Sequence, residues 1–174
     1  ATAFVSTIWA LYIDSFLHSI VLVGFISAFL TLVSFTSYFI FIPLMEKIEK
    51  SKIYFFSLLL FALTYILFAI NKQFYIFVVL AFIIKILGTF SITSFGIIVK
   101  DKSQRKNLSK NEGLIYTFAN VAWVIGPLIA GYLSKKFEIN LIFLLAGIFI
   151  FIAALLFKLS KIKDKNTKKK IDKD

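Results

Sequence analysis

Six apolar stretches, falling at roughly 1–17, 20–44, 53–70, 74–99, 113–134 and 141–157, dominate the chain. A segment of about 20 mostly apolar residues, rising 1.5 Å each, crosses roughly 30 Å of hydrocarbon. The first run is short and entered abruptly; the others meet or approach that length. An open chain inside lipid must satisfy its own backbone hydrogen bonds, so each run is predicted to be a helix. Barrel strands are excluded, because these runs far exceed about 9–11 residues and do not alternate. A soluble core is excluded too. Sixty per cent of the residues are hydrophobic and the mean hydropathy is +0.91, which leaves too little polar surface to cover such a core. The predicted fold is an all-α membrane protein, a bundle of six transmembrane helices over 1–158. A basic, disordered tail is predicted over 159–174.

The connectors predict an orientation. The loop at 45–52 carries Lys47, Lys50 and Lys52, the loop at 100–112 carries five Lys or Arg, and the tail from Lys158 carries eight. These sixteen lie on one side, against Lys72, Lys135 and Lys136 on the other. The rich side is expected in the cytoplasm. With an even number of spans, both termini lie there, and the chain is expected to be a multi-pass protein of the plasma membrane. The net charge of +11 therefore points to anionic lipid head groups. Nucleic acid is not expected, because no aromatic or arginine stacking surface accompanies the lysines.

The twentieth basic residue, Lys85, lies inside the fourth run. It stands about 16 Å along the helix from Phe74 and about 22 Å from Lys100, too far to snorkel to either surface. A lysine near the centre of a span costs about 3 kcal/mol to insert. It should face the bundle interior or a wet cavity. Two readings stand: contact with an anionic substrate group, or an interhelical hydrogen bond that only holds the bundle together. Gly88, Thr89 and Gly96 fall within about 60° of it around the helix. Helix two carries Gly24, Ser27, Thr31, Ser34 and Tyr38 on one face, a pattern suited to close packing or to a polar pathway. Helix five carries Asn120, a buried amide in need of a partner, and Gly126, Pro127 and Gly131, where a bend is expected. Trp9 and Tyr12 read as anchors at the membrane interface. Helices three and six are the most apolar and are expected to turn most of their circumference to lipid.

Enzyme chemistry finds no support. The chain has no cysteine and one histidine, and it lacks a phosphate-cradling loop or a metal-binding H-E-x-x-H. No catalytic residue, metal or cofactor is expected.

The motifs resemble those of the major facilitator superfamily of transporters, over nearly the whole chain. The loop from Ile42 to Lys52 is similar to the family's G-x-L-A-D-R-x-G-R-K. Leu44, Glu46, Lys47, Lys50 and Lys52 stand at the leucine, acidic and basic positions, while Ile42 and Glu49 replace the two glycines. Glu112-Gly113 followed by Val124 to Leu133 resembles the G…GPxxxGxL of the fifth or eleventh helix. Lys85 sits where many members carry a basic residue, with Gly88 one residue earlier than the family spacing. The resemblance implies one six-helix half of a secondary transporter working by alternating access on a small solute. Ala1 starts within an apolar run, without a methionine, so the C-terminal half is expected, with the N-terminal half as runner-up. The partners implied are membrane lipids, the substrate, and the other half or a second copy. Lys85, Asn120, Tyr12 and Thr89 are expected along the substrate pathway. Glu46, Lys47, Lys50, Lys52, Asp101 and Arg105 are expected to form a cytoplasmic gate. A six-helix scaffold that binds partners without transporting, or a half that homodimerises, are the alternatives.

Overall fold

The computed structural model describes residues 1–162, so the predicted tail lies outside the described residues from 163 onward. Among the described residues six α-helices follow one another: α1 (Thr2–Leu17), α2 (Ile20–Met45), α3 (Lys50–Ile70), α4 (Phe74–Lys102), α5 (Leu108–Lys136) and α6 (Ile139–Leu159). A 3-10 turn, Arg105–Asn107, leads into α5. No strand occurs among the described residues. Five helices are long and apolar enough to cross a membrane, and α1, at 16 residues, is the shorter sixth. The chain is an all-α, multi-pass membrane protein.

The helices outrun the apolar runs that predict them. Asp101 and Lys102 remain in α4, and Ser109 to Glu112 already belong to α5. An apolar run marks the hydrocarbon-embedded part of a helix, while its hydrogen bonding continues into the polar layers beyond. The connectors are correspondingly tight. His18 turns left-handed at φ 48°, its N–H bonding the Asp14 carbonyl, and the Ser19 hydroxyl then accepts from Leu22 N–H at the start of α2. Between α2 and α3 the Lys50 ammonium donates to the carbonyls of Met45, Glu46 and Ile48. A cation is well placed there, because the last carbonyls of a helix carry its negative end.

Helix α3 is the hub, packing along α6 and α4; α2 lies on α4, and α1 lies on α5 and α6. Two pairs of these contacts answer each other when the first three helices are exchanged with the last three: α2 on α4 with α1 on α5, and α3 on α4 with the slighter α1 on α6. Close approach depends on small residues. A Cβ on Gly147 of α6 would stand 3.1 Å from the Ala62 carbonyl oxygen of α3, and one on Gly126 of α5 would stand 2.8 Å from the Ala3 Cβ of α1. A Cβ on Gly24 or Gly131 would meet nothing within 4 Å. Within this bundle the two most apolar helices are nonetheless packed more closely than the polar-striped α2 and α5. In the most apolar stretch of α3, 44% of residues are buried, and 33% in α6, against 11% in both α2 and α5. Ala62, Ala146, Gly147 and Ala154 make this possible, since small side chains let two greasy helices touch along their length.

Candidate functional site

Five helices wall a cavity of about 330 Å³, at the lower end of the range for small-molecule sites. Helix α1 presents Thr2, Val5, Ser6 and Trp9, spaced as one helical face. Ser34 and Tyr38 face it from α2, Phe61 and Tyr65 from α3, and Trp123 from α5. Helix α4 contributes Ile84, Lys85, Gly88 and Ile92. At Gly88 a Cβ would come within 3.9 Å of the Phe61 ring.

Lys85 is half-buried and is the one charged residue in the lining. Its ammonium stands 6.0 Å from the centroid of the Trp9 ring, at the outer limit of a cation–π contact. Among the described residues no carboxylate lines the cavity. The Ser34 and Tyr38 hydroxyls have no hydrogen-bond partner among the described residues, whereas Ser6 donates to the Ala3 carbonyl at 3.0 Å. Pro127 lacks an N–H for the Trp123 carbonyl one turn back, so the α5 wall is missing a rung of its helical ladder beside the cavity.

One end of the cavity is stopped by rings. The lining reaches Trp9 on α1, Tyr65 on α3 and Ile84 on α4, and beyond these lie Tyr12, Phe16, Phe68, Phe77 and Phe143. Trp9 meets Phe68 edge-on at 5.6 Å, Tyr12 meets Phe143 at 4.6 Å, and Phe68 stacks on Phe143 at 5.2 Å. The Tyr12 hydroxyl donates to the Phe68 carbonyl at 3.0 Å, tying α1 to the end of α3. Toward the other end a smaller cavity of about 250 Å³ shares Ile92 and runs between α4 and α5, past Gly96 to Glu112.

The structure separates the residues expected along the pathway. Lys85 lines the cavity. Thr89 is buried behind it, its hydroxyl 3.5 Å from the Lys85 carbonyl. Tyr12 is buried in the ring block, outside the lining. Asn120 is exposed on α5, so the amide predicted to be buried is not. Gly126 is buried against α1, Pro127 sits beside it within an unbroken α5, and Gly131 is exposed. Among the residues expected at a gate, Lys50 caps α2 and Lys52 pairs with Glu49 at 3.0 Å, an exposed contact within one helix turn. Glu46, Lys47 and Arg105 are exposed and Asp101 is half-buried. Among the described residues no ion pair joins those four.

Trp9 and Tyr12 are not interface anchors; both belong to the interior. Trp9 and Trp123, the chain's two tryptophans, both line the cavity, and reasoning from sequence missed this role for each. The available signal was on α1, where Thr2 and Ser6 share a face with Trp9. Among the described residues no group of three or more His, Asp or Glu converges as metal ligands do.

Residues 1–173 match the sequence profile of the Major Facilitator Superfamily. No curated protein and no solved structure matches the chain.

Proposed function

Because this chain belongs to the major facilitator superfamily, we propose that it carries a small solute by alternating access, with the Lys85 cavity as the resting place of that solute. At the coarser level it is a membrane transporter of the major facilitator type, in contact with lipid and acting on a small molecule. Members of this family are in general transporters and not enzymes. The observation that carries the finer reading is the Lys85 ammonium beside Trp9, unpaired among the described residues, in a cavity stopped at one end by stacked rings. A lysine so far from either membrane surface persists where it has work to do inside the bundle.

The charge count supports the orientation. The end with sixteen Lys and Arg is the cytoplasmic one, the ring block faces outward, and both termini of the chain lie inside the cell at the plasma membrane. In that frame the cavity is stopped on the outside and leads past Ile92 toward the cytoplasm. The chain serves as one six-helix half, with residues 1–158 as its membrane domain and 159–174 as a tail at the lipid surface. A second bundle, either another half or a second copy, covers the exposed faces of α2 and α5. Transporters of this kind rock one bundle against another around a site near midplane. Glu46, Lys47, Asp101 and Arg105 share no ion pair among the described residues and would pair in the opposite, inward-closed state, since a switch needs contacts that differ between states.

The test is substitution of the lysine in the intact transporter. Lys85→Ala should abolish uptake while leaving the protein's level in the membrane and its helix content unchanged. Undiminished uptake by a normally folded Lys85→Ala protein overturns the site.

A further inference from the structure

We propose that the solute is an amphipathic monocarboxylate with a flat apolar body, a proposal that rests on the reading of the Lys85 cavity as the transport site. Three features of the lining set this class. Among the described residues the one charge in the lining is positive, and no Asp or Glu lies across from it. A cation would meet an unopposed ammonium there. A polyanion would bring more charge than one lysine can balance, and unbalanced charge away from water is costly. One carboxylate against Lys85 leaves the pair neutral.

The walls give the second feature. Trp9, Phe61, Tyr65 and Trp123 put rings into the same lining as Lys85, with Trp9 the one at the ammonium. Flat faces of this kind hold a planar apolar body better than a hydroxyl-rich one. No Asn or Gln lines the cavity, so a sugar would find few of the bidentate partners its hydroxyls need. The third feature is polar and small. Ser34 and Tyr38 lie four residues apart on α2, on one helical face, and neither hydroxyl has a partner among the described residues. They can hold one or two hydrogen-bonding substituents of the solute at the wall formed by α2. At about 330 Å³ the space suits a compact molecule of this kind.

Trp9 and Trp123 make the cavity self-reporting, because all indole fluorescence of the chain arises from its walls. The experiment titrates the purified full chain in neutral detergent with 4-nitrobenzoate, 4-nitrobenzamide and 4-nitrobenzylammonium as quenchers. Saturable quenching by the carboxylate is expected, about tenfold or more tighter than by the neutral amide, as a charge-assisted hydrogen bond provides. The cation should not quench saturably. Lys85→Met should remove the preference for the carboxylate, Lys85→Arg should keep it, and Tyr38→Phe should weaken binding by severalfold without changing the preference. If Lys85→Met does not fold, the comparison of the three probes on the unaltered chain decides alone. Equal binding of the amide, or tighter binding of the cation, overturns the solute class while leaving the transport site standing. Absence of saturable quenching by all three probes overturns the proposal that the walls of this half hold the solute on their own. Phosphatidylglycerol added to the micelles should leave the titration unchanged; displacement of 4-nitrobenzoate by it would make the occupant a lipid head group and overturn the assignment to a soluble acid.

Discussion

The α3–α6 pair and the α2–α5 pair are both built for lipid, yet they are used in opposite ways. Helix α6 is the most apolar of the five long spans and α5 the least. If greasiness decided exposure, α6 would lie at the periphery and α5 in the centre. Instead α6 presses Ile142, Phe143, Ala146, Gly147, Ile150 and Ala154 into the bundle, whereas α5 buries only Gly126 and Ala130. Helix α2, with Phe25, Leu32 and Phe39 all more than half exposed, resembles α5. Shape makes the difference. Helix α6 offers a seam of small residues that meets Ala62 of α3, and rings stack where that seam ends. Helix α5 makes its close approach at one point, Gly126 on Ala3.

Five substitutions, at three places, can break or sharpen this contrast. The largest effect is expected at the ring block. Phe143 is fully buried against Phe68 and Tyr12, and Phe143→Ala should cost about 3–5 kcal/mol in reversible unfolding from detergent micelles. Leu128→Ala on α5, at a side chain 70% exposed, should stay within about 0.5 kcal/mol. Equal costs at the two positions would erase the distinction between the pairs.

Next comes the seam itself. Gly147→Val forces a branched side chain against the Ala62 carbonyl and Ile66 and should destabilise the protein by about 1–3 kcal/mol. Gly131→Val, in open space on α5, should leave the melting temperature nearly unchanged when the purified chain is heated. A comparable loss at Gly131 would place a close partner on that face of α5 and redraw the contrast.

The smallest change is at Tyr12. Removing its hydroxyl with Tyr12→Phe deletes the bond to the Phe68 carbonyl but keeps the ring contacts. The expected cost is about 0.6–1 kcal/mol, in keeping with hydrogen bonds inside membrane proteins, and solute binding should be unaffected because Tyr12 lies outside the lining. Lost binding with intact stability would return Tyr12 to the pathway on which the sequence alone set it.

Much of the site was legible in part. Lys85 stood out because a charge in mid-span is expensive wherever it points, so its interior position follows from the sequence without knowledge of its neighbours. Ser34 and Tyr38 lay on a recognisable face, though whether that face packs or lines a path was open. Trp9 was misread. An indole has an apolar body and one donor, which suits a membrane interface and a cavity wall equally well. Asn120 was assigned to the interior on its chemistry, and the exposed flank of α5 holds it instead. Of two kinds of glycine, those that touch and those that do not, the sequence prefers neither: Gly126 and Gly131 read alike, and only Gly126 meets another helix.

By itself the sequence determined that the chain lives in a membrane, that it crosses as helices, and how many helices there are. Those properties are local. Each apolar run settles its own transfer from water, and each helix closes its own backbone hydrogen bonds. Only the tertiary structure decided which helices lie at the centre and which line the cavity. Hydrocarbon and a packed helix interior are equally apolar, so hydrophobicity carries no instruction about which face turns inward. That choice falls to the fit of side chains from distant segments, Gly147 against Ala62 and Trp9 beneath Lys85.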